Sequence, residues 1–210
     1  MTEASGLSDL QGPAGNTYDK YGTRNPVARF LVARFLRAVD DAVAEVGPSS
    51  VLDAGCGEGT VTARVARRLP RATVVGLDVG DPRLVAEWDE RAGENLVFHS
   101  GSAYALPYPD GAFELVCALE VLEHLERPAE GLDELARVSS RALVLSVPRE
   151  PLWRALNVAS GRYVRALGNT PGHVNHWSRR DFARFAARAG DVRSVRTPLP
   201  WTVVTVSRGT

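Results

Sequence analysis

Between Ser50 and Val147, short apolar runs alternate with amphipathic segments at helical spacing, and this alternation constrains the fold most. The apolar runs are Ser50–Ala54, Ala72–Asp78, Leu96–His99, Phe113–Leu119 and Ala142–Val147. Between them, Val61, Val65 and Leu69 mark a helix stopped by Pro70, and a weaker helix lies near Leu84 to Ala92. Leu132, Leu135 and Val138 share one face of a third. Strands that are apolar on both faces must be covered on both faces, which implies a parallel sheet with helical crossovers. Right-handed crossovers make that sheet doubly wound. Further on, Ser178-x-x-Asp181 has the form of a capping box before Phe182, Phe185 and Ala189, with Gly190 as the stop. Val192–Thr197 and Thr202–Val206 are β-rich, and the joint Pro198-Leu-Pro-Trp201 is too short for a crossover helix. They should form an antiparallel hairpin. The expected fold class is therefore α/β: a doubly wound, mostly parallel seven-stranded sheet ending in an antiparallel hairpin. Ahead of it, Asn25 can cap a helix with Pro26 at its first position; Val27, Phe30, Leu31, Phe35, Val39 and Val43 follow at helical spacing, up to Gly47-Pro48.

The 210 residues fit one domain. Residues 1–15 read as a flexible terminus and 16–210 as the domain. Within it, 16–46 forms an N-terminal lid and helix, and 149–177 is an insertion longer than an ordinary connection. Lys plus Arg number 25, as do Asp plus Glu, so no basic surplus favours a nucleic-acid partner. Cys56 and Cys117 are the only cysteines and form no Cys-x-x-Cys pair; neither a metal nor a redox dithiol is expected. The first residues lack the pattern of a secretion signal, and no apolar run approaches bilayer-spanning length. The reading is a cytoplasmic protein with no membrane partner.

The sharpest local signal is Val51-Leu-Asp-Ala-Gly-Cys-Gly-Glu-Gly59, at the end of the first strand and the start of a helix. Alternate glycines permit a tight turn and let a ligand approach the backbone. The helix N-terminus behind them suits a carboxylate or phosphate. A dinucleotide fingerprint would need its third small residue at position 60, where Thr60 stands; the third glycine falls one residue early, at Gly59. Asp53 is poor company for a pyrophosphate and suits an ammonium group.

This stretch resembles the first motif of the class I S-adenosylmethionine-dependent methyltransferases. The resemblance implies that Asp53, Gly55, Cys56, Gly57 and Gly59 cradle the methionine part of S-adenosylmethionine. It also implies that Asp78, with Val79 beside it, holds the ribose hydroxyls at the end of the second strand. The block His99 to Val116 is similar to the family's next segment nearly residue for residue. There the family's Asp, which accepts from the adenine amino group, is replaced by Ser102, an uncharged acceptor; the Ala103 N–H can still serve the ring. Ala118 to Leu125 is similar to a further family stretch, which places Leu119 and Glu120 at the methionine end and His124 near the mouth of the site. Specific likeness spans about residues 47 to 148, and the product of the implied reaction is S-adenosylhomocysteine.

Pro148 to Trp177 gathers two of the four histidines, two of the four tryptophans and several amides. That density suits a small-molecule pocket. His173 and His176 are candidate general bases or loop braces, and His124 is a third candidate with the same two readings. Tyr18, Tyr21 and Trp177 are candidates to line the sulfonium or the substrate, and Tyr18 to Asn25 to close over them. The reading is methyl transfer to an oxygen or nitrogen of a small metabolite. Its rivals are a fold relative catalysing another reaction and a non-enzymatic binding protein; a dehydrogenase is the weakest. Oligomeric state is left open.

Overall fold

The computed structural model describes residues 24–161 and 163–209. Asn25 caps the first helix, α1 (Pro26–Val46): its side-chain oxygen accepts from the N–H of Val27 at 2.9 Å and of Ala28 at 3.2 Å. Gly47 closes that helix in the left-handed region, at φ 56°. The chain then runs β1 (Ser50–Ala54), α2 (Thr60–Arg68), β2 (Thr73–Asp78), α3 (Pro82–Arg91), β3 (Leu96–Ser100), β4 (Phe113–Leu119), α4 (Pro128–Val138) and β5 (Ser139–Pro148). After β5 come α5 (Leu152–Ala159), α6 (Arg179–Ala186), β6 (Asp191–Arg196) and β7 (Trp201–Ser207).

The strands form one sheet in the order β3-β2-β1-β4-β5-β7-β6. β1 to β5 are parallel, and β7 runs antiparallel to both β5 and β6. Alternation along each strand sorts the core into two layers. Leu52, Leu77, Val116 and Leu145 face one side, where Leu132 and Leu135 of α4 and Phe182 of α6 cover them. Val51, Val74, Leu115 and Val144 face the other, under Phe35 and Val39 of α1 and Val65 of α2. Strand order reverses between β1 and β4, and their carboxyl ends open the crevice in which sheets of this kind bind ligands.

The antiparallel hairpin is present as expected, but its place is a finding: the last strand, β7, inserts beside β5 and leaves β6 at the edge. Pairing from Ala142↔Ser207 to Pro148↔Trp201 buries β7, whose residues Val203, Val204 and Val206 are fully covered. The stretch after β5 is also more regular than its sequence suggests. It contains α5 and a short 3-10 turn at Val164–Ala166. No residue of α5 is fully buried.

Candidate functional site

The turn after β1 is held by backbone. Gly55 and Cys56 both donate to the Leu77 carbonyl, at 2.7 and 3.1 Å, and Gly59 donates to Cys56 at 3.0 Å. Gly55, Gly57 and Gly59 all lie in the left-handed region, at φ 79°, 54° and 77°, which glycine alone enters without steric cost. A Cβ on Gly55 would run into Val121, and one on Gly59 would come within 2.6 Å of the Phe98 ring. Around Gly57 nothing lies within 4 Å of such an atom, so the turn presents open backbone there.

Two carboxylates flank this opening. Asp78, at the end of β2, accepts from the N–H of Gly57 and of Val79, both at 2.7 Å. Burial pushes its pKa up even though those two bonds pull it down. It does not cap the next helix; Asp81 does, accepting from Arg83 N–H. Asp53 is 4% exposed and accepts from the Thr62 hydroxyl at 2.6 Å. Its other oxygen, Oδ1, is buried with no hydrogen-bond partner among the described residues. Burial, aided by the Asp78 charge and opposed by Thr62, pushes Asp53 up to about 6. A buried carboxylate oxygen without a donor is costly, and a cationic ligand group would relieve it. Burial likewise holds the Cys56 thiol far above its usual range, so it stays protonated and lines the turn as a neutral group.

The segment after β3 reads differently from its sequence. Ser102 Oγ already accepts from the Tyr104 N–H at 3.2 Å and closes a local turn, with Ala103 inside that turn. The block is fastened to α4 by Glu134, which accepts from Leu106 N–H, and by Arg137, which donates to the carbonyls of Leu106 and Tyr108. Glu114, in β4, accepts from the Ser49 N–H and pairs with Arg141, a structural role.

The register Asp53↔Cys117 carries the end of β4 alongside the glycine turn. Leu119 packs against the α1–α2 core layer. Glu120 follows with φ 63°, a left-handed conformation that costs a non-glycine residue free energy and collects at functional sites. His124 closes the 3-10 turn Leu122–His124, and its Nδ1 lies 3.0 Å from the Gly172 carbonyl. His173 is buried, with its ring 4.8 Å from that of His124 and 6.2 Å from that of Trp153. The fold thus brings His124 and His173 together from distant parts of the chain. His176 is exposed, and its Nε2 lies 2.7 Å from Asn169 Oδ1. Trp177 is partly buried and packs on Phe182 and Phe185 of α6, against one layer of the core. Tyr18, Tyr21 and the closing segment as far as Thr23 lie outside the described residues.

Trp88 was not legible as a site residue. From α3, its indole N–H donates to the Gly57 carbonyl at 2.7 Å, and its ring stacks on Phe98 at 5.6 Å. The pair forms a platform beneath the glycine turn. Among the described residues no helix is long and apolar enough to cross a membrane.

Comparison with known proteins agrees with this geometry. A family profile described as a methyltransferase domain matches residues 52–142. The chain is 30% identical over 139 residues to an uncharacterised methyltransferase of Mycobacterium bovis, covering 62% of this chain and 70% of that protein. It is 36% identical over 120 residues to a demethylmenaquinone methyltransferase of Thermus thermophilus, covering 55% of this chain and 54% of the relative. Several curated relatives are longer, and the chain spans 35% to 59% of their length. Among solved structures, the magnesium protoporphyrin IX methyltransferase of Synechocystis superposes with a TM-score of 0.67 over 90% of both chains. At 21% identity, that likeness speaks for the fold.

Proposed function

The chain belongs to the class I S-adenosylmethionine-dependent methyltransferases, and on that premise we propose that it transfers a methyl group from S-adenosylmethionine to an oxygen or nitrogen of a small-molecule metabolite. The observation that carries this reading is the buried, undonated Oδ1 of Asp53 beside a glycine turn whose backbone is open at Gly57. The group that completes such a pair is an amino acid: its ammonium donates to Asp53, and its carboxylate meets the N–H groups at the start of α2. Asp78, already fixed by two backbone donors, turns its remaining lone pairs to the ribose hydroxyls. On this reading Ser102 and the Ala103 N–H face the adenine edge, with the Ser102 hydroxyl also accepting from Tyr104 N–H.

When bound, the cofactor supplies a methyl group already activated by its sulfonium. The protein's task is then to align the acceptor, exclude water and remove a proton. On this reading exposed His176, whose Nε2 lies 2.7 Å from Asn169 Oδ1, is the candidate for proton removal, while His124 and His173 face each other as a pair. A balanced net charge and two unpaired thiols support a small acceptor, a cytoplasmic setting and no nucleic-acid partner.

The test is calorimetric titration with S-adenosylhomocysteine of the wild-type protein and of Asp78→Ala. Binding in the wild type, weakened about tenfold or more by the loss of a charged hydrogen-bond acceptor, is the expected result. It would be followed by an acceptor screen reading released S-adenosylhomocysteine. Folded, ligand-free protein that does not bind would overturn the reading.

A further inference from the structure

Glu123, His124 and His173 each offer a ligand atom, and these atoms all lie within 4.8 Å of one another. Two of the three sit on the 3-10 turn after β4; the third comes from the loop before α6. The two segments are knitted together by backbone. Val174 and Asn175 N–H both donate to the Glu123 carbonyl, at 2.9 and 3.1 Å. The Asn175 side-chain amide donates to the carbonyls of Leu122 and Leu125, at 3.2 and 2.6 Å. His173 is held from behind by its own N–H on Thr170 O and by the Trp153 ring. The backbone that carries the three side chains is thus fixed before any ligand arrives, which leaves only side-chain adjustment to complete the set.

Nδ1 of His124 lies 3.0 Å from the Gly172 carbonyl, which can only accept, so this ring nitrogen is placed as the donor. A ring nitrogen donating to a backbone carbonyl while the other faces the ion is how metal-bound imidazoles are oriented. We propose that Glu123, His124 and His173 form a binding site for a divalent first-row transition-metal ion. Two imidazoles and one carboxylate suit zinc, cobalt or manganese, and do not suit magnesium or calcium, which take oxygen ligands. Three such ligands leave a coordination position for a further group. Donors about 2.0 to 2.2 Å from one ion lie roughly 3.5 Å apart, so this set closes by about 1 Å on binding. The sequence had pointed to no metal, because only its cysteines were arranged to be tested by spacing; this set is split between two distant segments.

The role of the ion rests on the methyl-transfer reading; its binding does not. At the acceptor side, the open position fits a hydroxyl or phenolic oxygen, whose O–H pKa a divalent cation lowers. The proton leaves to solvent or to His176. The oxygen lone pair then forms the new O–CH3 bond as the carbon–sulfur bond breaks, and that bond's electron pair stays on sulfur. The metal keeps its oxidation state throughout. The acceptor class is thereby narrowed to an oxygen nucleophile.

The experiment uses the full chain, without an affinity tag, and three variants: Glu123→Gln, His124→Ala and His173→Ala. Zinc stoichiometry is read by elemental analysis after dialysis, and cobalt loading by its visible absorption. S-adenosylhomocysteine titration runs alongside as a check that each variant is folded. The expected result is one zinc per wild-type chain, ligand-field bands of a low-symmetry cobalt site, and at least a tenfold loss of zinc affinity in each variant. No zinc retained by the wild type, or the same affinity in all three variants, would overturn the site and leave a buried carboxylate paired with histidine. Zinc binding without S-adenosylhomocysteine binding would instead count against the cofactor reading alone, since the two ligands are read separately.

Discussion

Asp53 shows most clearly how a single residue is tuned. Its carboxyl is buried beside a second carboxylate, and Thr62 satisfies only one of its oxygens. Its pKa, about 6, lies above the ordinary 3.8, so between those values the folded protein holds a proton that the unfolded chain has released. The stability this contributes is full at low pH and is lost as pH rises through the folded pKa. A bound ammonium reverses the balance by favouring the ionised form. Affinity for S-adenosylhomocysteine should therefore fall about tenfold between pH 7 and pH 5, since about nine-tenths of Asp53 is protonated at the lower pH. Titrations across that range check this, and Asp53→Asn should flatten most of the profile; a steep profile surviving in the variant would assign the effect to Asp78, whose pKa is also raised. Asp53, Asp78 and the three glycines were legible because each answers a local demand, a left-handed turn or a carboxylate at a strand end. Ser102 was legible only as a departure; that its hydroxyl is occupied by Tyr104 N–H depends on how the loop folds. The meeting of His124 with His173 was not legible, because nothing in local spacing relates them.

At the scale of elements, α3 shows how a helix far from the glycine motif sets its shape. Pro82 and the Asp81 cap start it, and it delivers Trp88 to the Gly57 carbonyl and to the face of Phe98. Trp88→Phe keeps the stack and removes the donor, leaving Gly57 O short of a partner. The expected cost is about 1 kcal/mol of stability, read as a lower urea midpoint at unchanged slope, with a severalfold loss of S-adenosylhomocysteine affinity. Unchanged affinity would mean that the turn keeps its shape without the indole. The weaker periodicity of α3 was visible in the sequence, but the direction of Trp88 was not, since it depends on where β3 places Phe98. The α5 helix was missed although Leu152, Trp153 and Leu156 give it an apolar side, because it is only eight residues long and none of them is fully buried. Its Trp153 nonetheless reaches Thr170 and stacks toward His173 and Trp201.

In the whole molecule, the position of β7 decides whether the sheet closes over its second half. β5 pairs with β7 from Ala142 to Pro148, and the edge strand β6 attaches only through β7. Removing residues 191–210 should expose the β5 edge and both core layers it supports. The truncated chain is expected to lose its cooperative thermal transition and near-ultraviolet circular dichroism, to bind a hydrophobic dye and to retain no S-adenosylhomocysteine binding; a cooperative transition in that chain would show that the parallel half folds alone. The sequence by itself determined the strand and helix alternation, the parallel character of the first five strands and the glycine turn after β1. Those features rest on periodicity, backbone sterics and turn chemistry, which act over a few residues. Only the tertiary structure decided that the last strand lies inside the sheet, that Trp177 packs on α6, and that Glu123, His124 and His173 converge. Each of these depends on packing between segments far apart in the chain, where burial of a whole surface, and no local preference, selects the arrangement.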